Sequence, residues 1–138
     1  MRPSKEQIRI FKTGATRDTD NNKLDFDGFL SPLTIQAYSE YLHKHRIQSN
    51  GELRDSDNWQ KGISPKVYIK SAWRHFVALW ALYRGYYVYE DEKKQTHILY
   101  RKPNTMPEDW WGAINILDSA CGVLFNVSGF IHEILKKR

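Results

Sequence analysis

The sequence predicts a mainly α fold: three principal helices with a short β-hairpin inserted between the second and the third. Three observations carry this. Ser31-Pro32 and Ser64-Pro65 each precede a run with apolar residues at helical spacing. A longer run with the same period follows Pro107. Between the last two runs, two short stretches rich in Tyr, Val and Ile flank the charged pentapeptide Asp91-Glu92-Lys93-Lys94-Gln95.

Taken in order, residues 1–13 read as a tail or edge segment. Residues 14–30 are dominated by Gly, Asp and Asn without an apolar period, so they read as a polar loop. Asp18, Asp20, Asn22 and Gly28 invite comparison with a calcium loop, but the glycine at the sixth place and the closing Glu at the twelfth are missing. The first helix is expected over 32–46, with Ile35, Tyr38, Leu42 and His45 on one face. Asn50-Gly51 marks a turn in a second polar loop. The second helix, over 64–84, carries a stripe of Tyr68, Ala72, Trp73, Phe76, Trp80 and Tyr83, and Gly85 ends it. A hairpin is expected over 86–101, a charged helix–loop continuation being the alternative. The third helix is expected over 107–136. One of its faces is apolar, and a second carries Asp118, Gly122, Asn126 and Gly129, small or polar groups that let another helix or a ligand approach the backbone.

The totals set the outer limits. A chain of 138 residues, 41% hydrophobic and 27% charged, suits one globular domain over 1–138. One cysteine, Cys121, allows no internal disulfide; it lies in an apolar stretch and reads as an inert core thiol in a reducing compartment. No run approaches the roughly 20 apolar residues of a membrane span, and the N-terminus has no signal-peptide pattern. A cytoplasmic protein without membrane contact is the expectation. The net charge of +5 favours phosphate-bearing partners. Five Trp, eight Tyr and six Phe supply core filling and faces on which a base can stack.

The densest polar cluster is Arg54-Asp55-Ser56-Asp57-Asn58-Trp59-Gln60-Lys61-Gly62. It offers a carboxylate for a metal (Asp57), a cation for a phosphate (Lys61) and an indole for a base (Trp59); a solvated turn anchored by its Trp explains it equally well. Asp118, among apolar neighbours, needs a partner: Arg74, His75 or a metal. Asn126, two turns on, needs one as well. His43, His45 and His75 each read as structural, and zinc spacings, phosphate-binding glycine loops and nucleophile elbows are absent from the sequence.

Four segments together resemble a known family. They are Gly14-Ala15-x-Arg17-Asp18-x-Asp20-x-x-Lys23, then Asp57-Asn58-Trp59-x-Lys61-Gly62, then Trp73-Arg74-His75, then Asp118 with Asn126 eight residues on. In this order they resemble the phage dATP/dGTP diphosphohydrolase N-terminal domain family, over about Gly14 to Glu133. That family is similar to the MazG-like all-α nucleoside triphosphate pyrophosphohydrolases. The resemblance implies a helical, oligomeric, magnesium-dependent (or manganese-dependent) enzyme of phage nucleotide metabolism, acting in the host cytoplasm. Such an enzyme cuts a (deoxy)nucleoside triphosphate to a monophosphate and pyrophosphate. The group's Glu-Glu-x-x-Glu and Glu-x-x-Asp signatures are absent here: Glu40 stands alone on its helix, and Ser119 follows Asp118 where the family often has His.

Carried onto this chain, the resemblance assigns Asp57, Asp118 and Glu40 to the metal, and His75 to the water or a phosphate, with His75 and Asp118 the catalytic pair. Arg17, Lys23, Lys61 and Arg74 would hold phosphates, Trp59 would stack on a purine, and Asn126 would read a base edge or brace Asp118. If the second and third helices pack antiparallel, Asp57, His75 and Asp118 should line one pocket, with Trp59 at its rim. The aromatic excess predicts a homo-oligomer built on the C-terminal helix. A non-catalytic, nucleotide-sequestering protein is the alternative. A nucleic-acid-binding accessory protein comes third, since nucleic-acid module motifs are missing.

Overall fold

The computed structural model describes residues 8–18 and 22–137. The chain divides into two compact units, residues 1–36 and 37–138. The architecture is mixed α/β, which corrects the mainly α expectation: the chain forms two antiparallel sheets as well as helices.

In the first unit, β1 (Ile8–Ile10) pairs antiparallel with β2 (Thr16–Asp18), Arg9 opposite Arg17. Of the expected tail or edge segment over 1–13, residues 1–7 lie outside the described residues and 8–10 form half of a small hairpin, whose turn passes through Gly14 at φ 88°, a left-handed conformation that suits glycine. Within the expected loop lies a single helical turn, α1 (Phe26–Phe29), where the Asp25 carboxylate accepts from Gly28 N–H. Asp20 of the calcium-loop comparison lies outside the described residues. Helix α2 (Pro32–Lys44) begins in this unit, where Ser31 Oγ accepts from Thr34 N–H as the Ser-Pro signal predicts, and continues into the second.

In the second unit, the Asn50-Gly51 turn forms as expected, with Gly51 at φ 85° and Ile47 bridged to Leu53. A 3-10 turn, Asn58–Lys61, precedes α3 (Pro65–Tyr83). Helix α3 closes as the glycine signal predicts. Gly85 takes φ 89°, its N–H bonds the Leu82 carbonyl, and Tyr86 N–H bonds the Ala81 carbonyl, a Schellman arrangement. The expected hairpin follows as β3 (Tyr87–Asp91) and β4 (Thr96–Leu99).

The third expected helix starts late. Residues 107–115 are not helical; Trp110–Ala113 forms β5, which pairs with the other edge of β3. The reason is local. Trp-Trp-Gly has weak helix propensity, and the open ladder of β3 supplies hydrogen-bond partners. Helix α4 (Ile116–Lys136) is capped by Asn115, whose Oδ1 accepts from Asp118 N–H at 2.7 Å. The β3–β5 ladder has a bulge. Glu90 faces Gly112 and Asp91 faces Trp110, so Trp111 is an extra residue outside the pairing.

The core is the seam between α3 and α4. A Cβ at Gly122 would overlap the His75 ring, and one at Gly129 would overlap the Tyr68 ring. Ile63 N–H reaches Glu133 at 3.3 Å. As positions rise along α3 their partners on α4 fall, so the helices run antiparallel. The inward positions of α4 (Ser119, Gly122, Asn126, Gly129, Glu133) are buried at steps of three and four. The small-and-polar stripe read from the sequence is therefore the packing face. On α3 the inward positions include Tyr68 and Ala78, both buried. The expected stripe is corrected in part: Trp73, Phe76, Trp80 and Tyr83 lie exposed. Ala78, Ala81 and Val88 pack β3 onto α3. Cys121 is buried and its thiol is pushed up by burial, as an inert core thiol should be.

Candidate functional site

An open cleft of about 1020 Å³ lies in the second unit, walled by the end of α2, the middle of α3, the β3–β4 hairpin, β5 and the start of α4. Its helical wall carries Tyr41, His45, Arg74, His75, Asp118 and Ser119. The sheet wall carries Glu90, Lys94 and Gln95, and the indoles of Trp73 and Trp111 also line it. Both indoles are largely exposed, and the bulge is what re-aims Trp111.

Three of the residues singled out from the sequence, Arg74, His75 and Asp118, thus share one cleft. The antiparallel seam brings them there. His75 is seated over Gly122, one turn along α4 from Asp118. Burial lowers the pKa of His75, and the charges of Arg74 and His45 lower it further. Its imidazole is therefore neutral at pH 7, able to accept a proton. The Tyr41 phenol is pushed up to about 12, by burial first and by the Asp118 carboxylate second, so it stays a hydrogen-bond donor. His45 Nδ1 donates to the Tyr41 carbonyl at 2.8 Å, which fixes its ring.

Asp118 has a partner that the sequence reading missed. Lys44 Nζ sits 2.6 Å from its Oδ2, in place of the expected Arg74, His75 or metal. Ser119 is buried, and its Oγ has no hydrogen-bond partner among the described residues.

The 54–62 segment does not join this cleft. Trp59 packs edge-on against His132, ring centroids 4.6 Å apart, near the far end of α4. Residues 118 and 132 are 14 positions apart on one helix, about 21 Å along its axis at 1.5 Å per residue. Asp57 and Lys61 flank Trp59; Asp57 makes no capping bond, and among the described residues Lys61 approaches Asp55, at 3.9 Å in the open. The expected pocket of Asp57, His75 and Asp118 with Trp59 at its rim is therefore corrected: Trp59 anchors the loop to the opposite end of the seam. Asp57, Asp118 and Glu40 do not gather as a metal-ligand set either. Asn126 is buried and donates to the Gly122 carbonyl at 2.7 Å, bracing its own helix. Arg17 and Lys23 are exposed residues of the first unit.

Next to His132 on α4, Glu133 is a buried carboxylate. Burial alone would push Glu133 up, but the Ile63 N–H and Lys136 at 3.3 Å together hold it below the usual carboxylate range. Among the described residues, the potential metal-ligand set of three is a different one: Asp91, His97 and Asp109, on the sheet. No helix of the described residues is long and apolar enough to cross a membrane. Compared with protein-family models, with curated proteins and with solved structures, the chain has no match.

Proposed function

We propose that this protein takes a purine deoxynucleoside triphosphate into the cleft and hydrolyses it, with Mg²⁺ or Mn²⁺, to the monophosphate and pyrophosphate. The observation that carries the reading is the convergence of Arg74, His75 and Asp118 on one cleft that also offers two exposed indoles. Each group has a matching task. Arg74 and Lys94 pair with phosphate oxygens. Trp111 stacks on the base. The buried Ser119 hydroxyl gains the hydrogen bond it lacks. His75, neutral and partly shielded, takes a proton from the attacking water. Asp118 and Glu90 are carboxylates on opposite walls of the cleft, and one or two carboxylates plus phosphates are what a nucleotide-borne Mg²⁺ uses. The ion, when bound, neutralises phosphate charge and makes water more acidic. Such a substrate places the protein in the cytoplasm, that of the host if a phage encodes it.

A second reading, sequestration of the nucleotide without cleavage, is favoured by one contact: Lys44 already occupies Asp118. One experiment tests both. The protein is incubated with each dNTP and Mg²⁺, and monophosphate, pyrophosphate and retained nucleotide are measured. Product formation supports the first reading, and saturable retention without product supports the second. Neither product nor retention would end both.

The exposed aromatics lie on α3, so we further infer a homodimer built on α3 in place of the expected C-terminal helix. Ile69, Trp73, Phe76, Trp80 and Tyr83 are exposed at steps of three and four along α3, away from the α4 seam. Together they present on the order of 600 Å² of mostly aromatic surface, near the roughly 800 Å² per partner of a standard interface. A second copy presents the same stripe, so a two-fold pairing is self-complementary.

A further inference from the structure

The three-stranded sheet carries a second constellation, apart from the nucleotide cleft. By strand alternation and register, Tyr89, Asp91 and His97 share one face of the sheet, while Glu90 and Thr96 share the other with the cleft. Asp91 ends β3 with its side chain buried. Its Oδ1 accepts from the N–H groups of Lys93 and Gln95, both at 2.9 Å, which leaves Oδ2 pointing at His97 Nε2, 2.7 Å away. The His97 ring is held flat against Tyr89, centroids 4.7 Å apart at 11°.

A third group completes the set. Asp109 enters from the segment leading to β5, and that segment is pinned: Glu92 N–H bonds the Asp109 carbonyl at 2.9 Å, and Trp110 Nε1 bonds Tyr87 Oη at 3.1 Å. The donor atoms of Asp91, His97 and Asp109 all lie within 4.8 Å of one another.

The Asp91–His97 contact is complete as a hydrogen-bonded pair and has no need of Asp109. Bringing a second carboxylate to the same point adds a negative charge for which there is no ion-pair partner among the described residues. A cation resolves this. An imidazole nitrogen with two carboxylates favours a borderline transition ion over Mg²⁺ or Ca²⁺, and three protein ligands leave a position for water.

We propose that Asp91, His97 and Asp109 form a binding site for a divalent transition-metal ion of the zinc class. Entry displaces the proton shared by Asp91 and His97 and widens their contact to about 3.3 Å, the ligand spacing of a tetrahedral ion. The ion then ties β4 and the entry to β5 onto the end of β3. The amides holding Asp91 Oδ1 act as the outer shell that orients a ligand.

The test does not depend on any nucleotide. Chelator-stripped protein is titrated with Zn²⁺ by calorimetry, in parallel with Asp109→Asn and His97→Gln variants whose folding is checked by circular dichroism. One ion per chain is expected, with affinity at least tenfold weaker in each variant. Added Zn²⁺ should raise the melting temperature of the parent protein more than that of the variants. Asp109 is exposed, so Asp109→Asn decides the matter if His97→Gln does not fold. Absence of saturable Zn²⁺ binding overturns the proposal, as does the same stoichiometry and affinity in a folded Asp109→Asn protein.

Discussion

The imidazole of His75 occupies the space that a side chain at residue 122 would need, so His75 and Gly122 are a matched pair across the α3–α4 seam. Gly122→Ala should force the ring off its rotamer or part the helices, at a cost of about 1–3 kcal/mol. Thermal unfolding read as a double-mutant cycle with His75→Ala should show strong coupling, since the methyl group is tolerated only once the ring is gone.

The depressed pKa of His75 gives stability a defined pH dependence. Its folded value lies below the ordinary 6.5, so the unfolded chain binds this proton more readily. Stability from this group is fully present above about pH 6.5 and falls as pH drops from there towards the folded pKa. Urea titrations at pH 7.5, 6.5 and 5.5 should show this limb, and His75→Gln should flatten it. If His75 is the general base, turnover should fall over the same acid limb.

Asp118→Asn should separate chemistry from stability. The Lys44–Asp118 pair is 52% and 31% exposed at its two side chains, and pairs so exposed contribute about 1 kcal/mol or less. The variant should therefore melt within a few degrees of the parent and lose its Mg²⁺-dependent turnover. Lys44→Met should do the opposite: it frees the carboxylate and should strengthen nucleotide binding in the presence of Mg²⁺.

The dimer is tested at its centre. Trp80 is exposed and does not line the cleft. Trp80→Glu should turn a dimer into a monomer by light scattering at micromolar concentration, with helix content unchanged.

The parts of this molecule legible in the sequence are those specified locally. Ser31, Gly85 and Asn50-Gly51 act within a few residues of where they stand, and each does in the structure what its chemistry predicts. The hairpin was legible because its two strands are separated by a short charged turn. β5 was not. A four-residue strand is too short for a readable alternation, and its partner β3 lies some 20 residues upstream. Pro107 also mimics a helix start, while the true cap, Asn115, was visible as an amide three residues before Asp118. At the site, the meeting of His75 and Asp118 followed from the antiparallel argument, and Arg74 stood among the possible partners of Asp118. Lys44, Glu90 and Lys94 were not legible, since a lysine at a helix end and a charged hairpin turn look like solvated surface. Asp57 and Trp59 were placed with the wrong end of α4, because the sequence cannot say which end the loop folds towards; the Trp59–His132 contact decides it. Asp91, His97 and Asp109 have no metal-ligand spacing along the chain, and only the strand pairing assembles them.

The bulge in β5 shows which constraint keeps Trp111 in the chain. Glu90–Gly112 and Asp91–Trp110 would be consecutive pairs of an unbroken ladder were residue 111 deleted. The sheet should therefore accept that deletion without a change of register. Backbone pairing places no demand on this position. A deletion variant lacking Trp111 should fold with its sheet intact and a cleft missing one aromatic wall, which would assign the residue to ligand binding rather than to architecture.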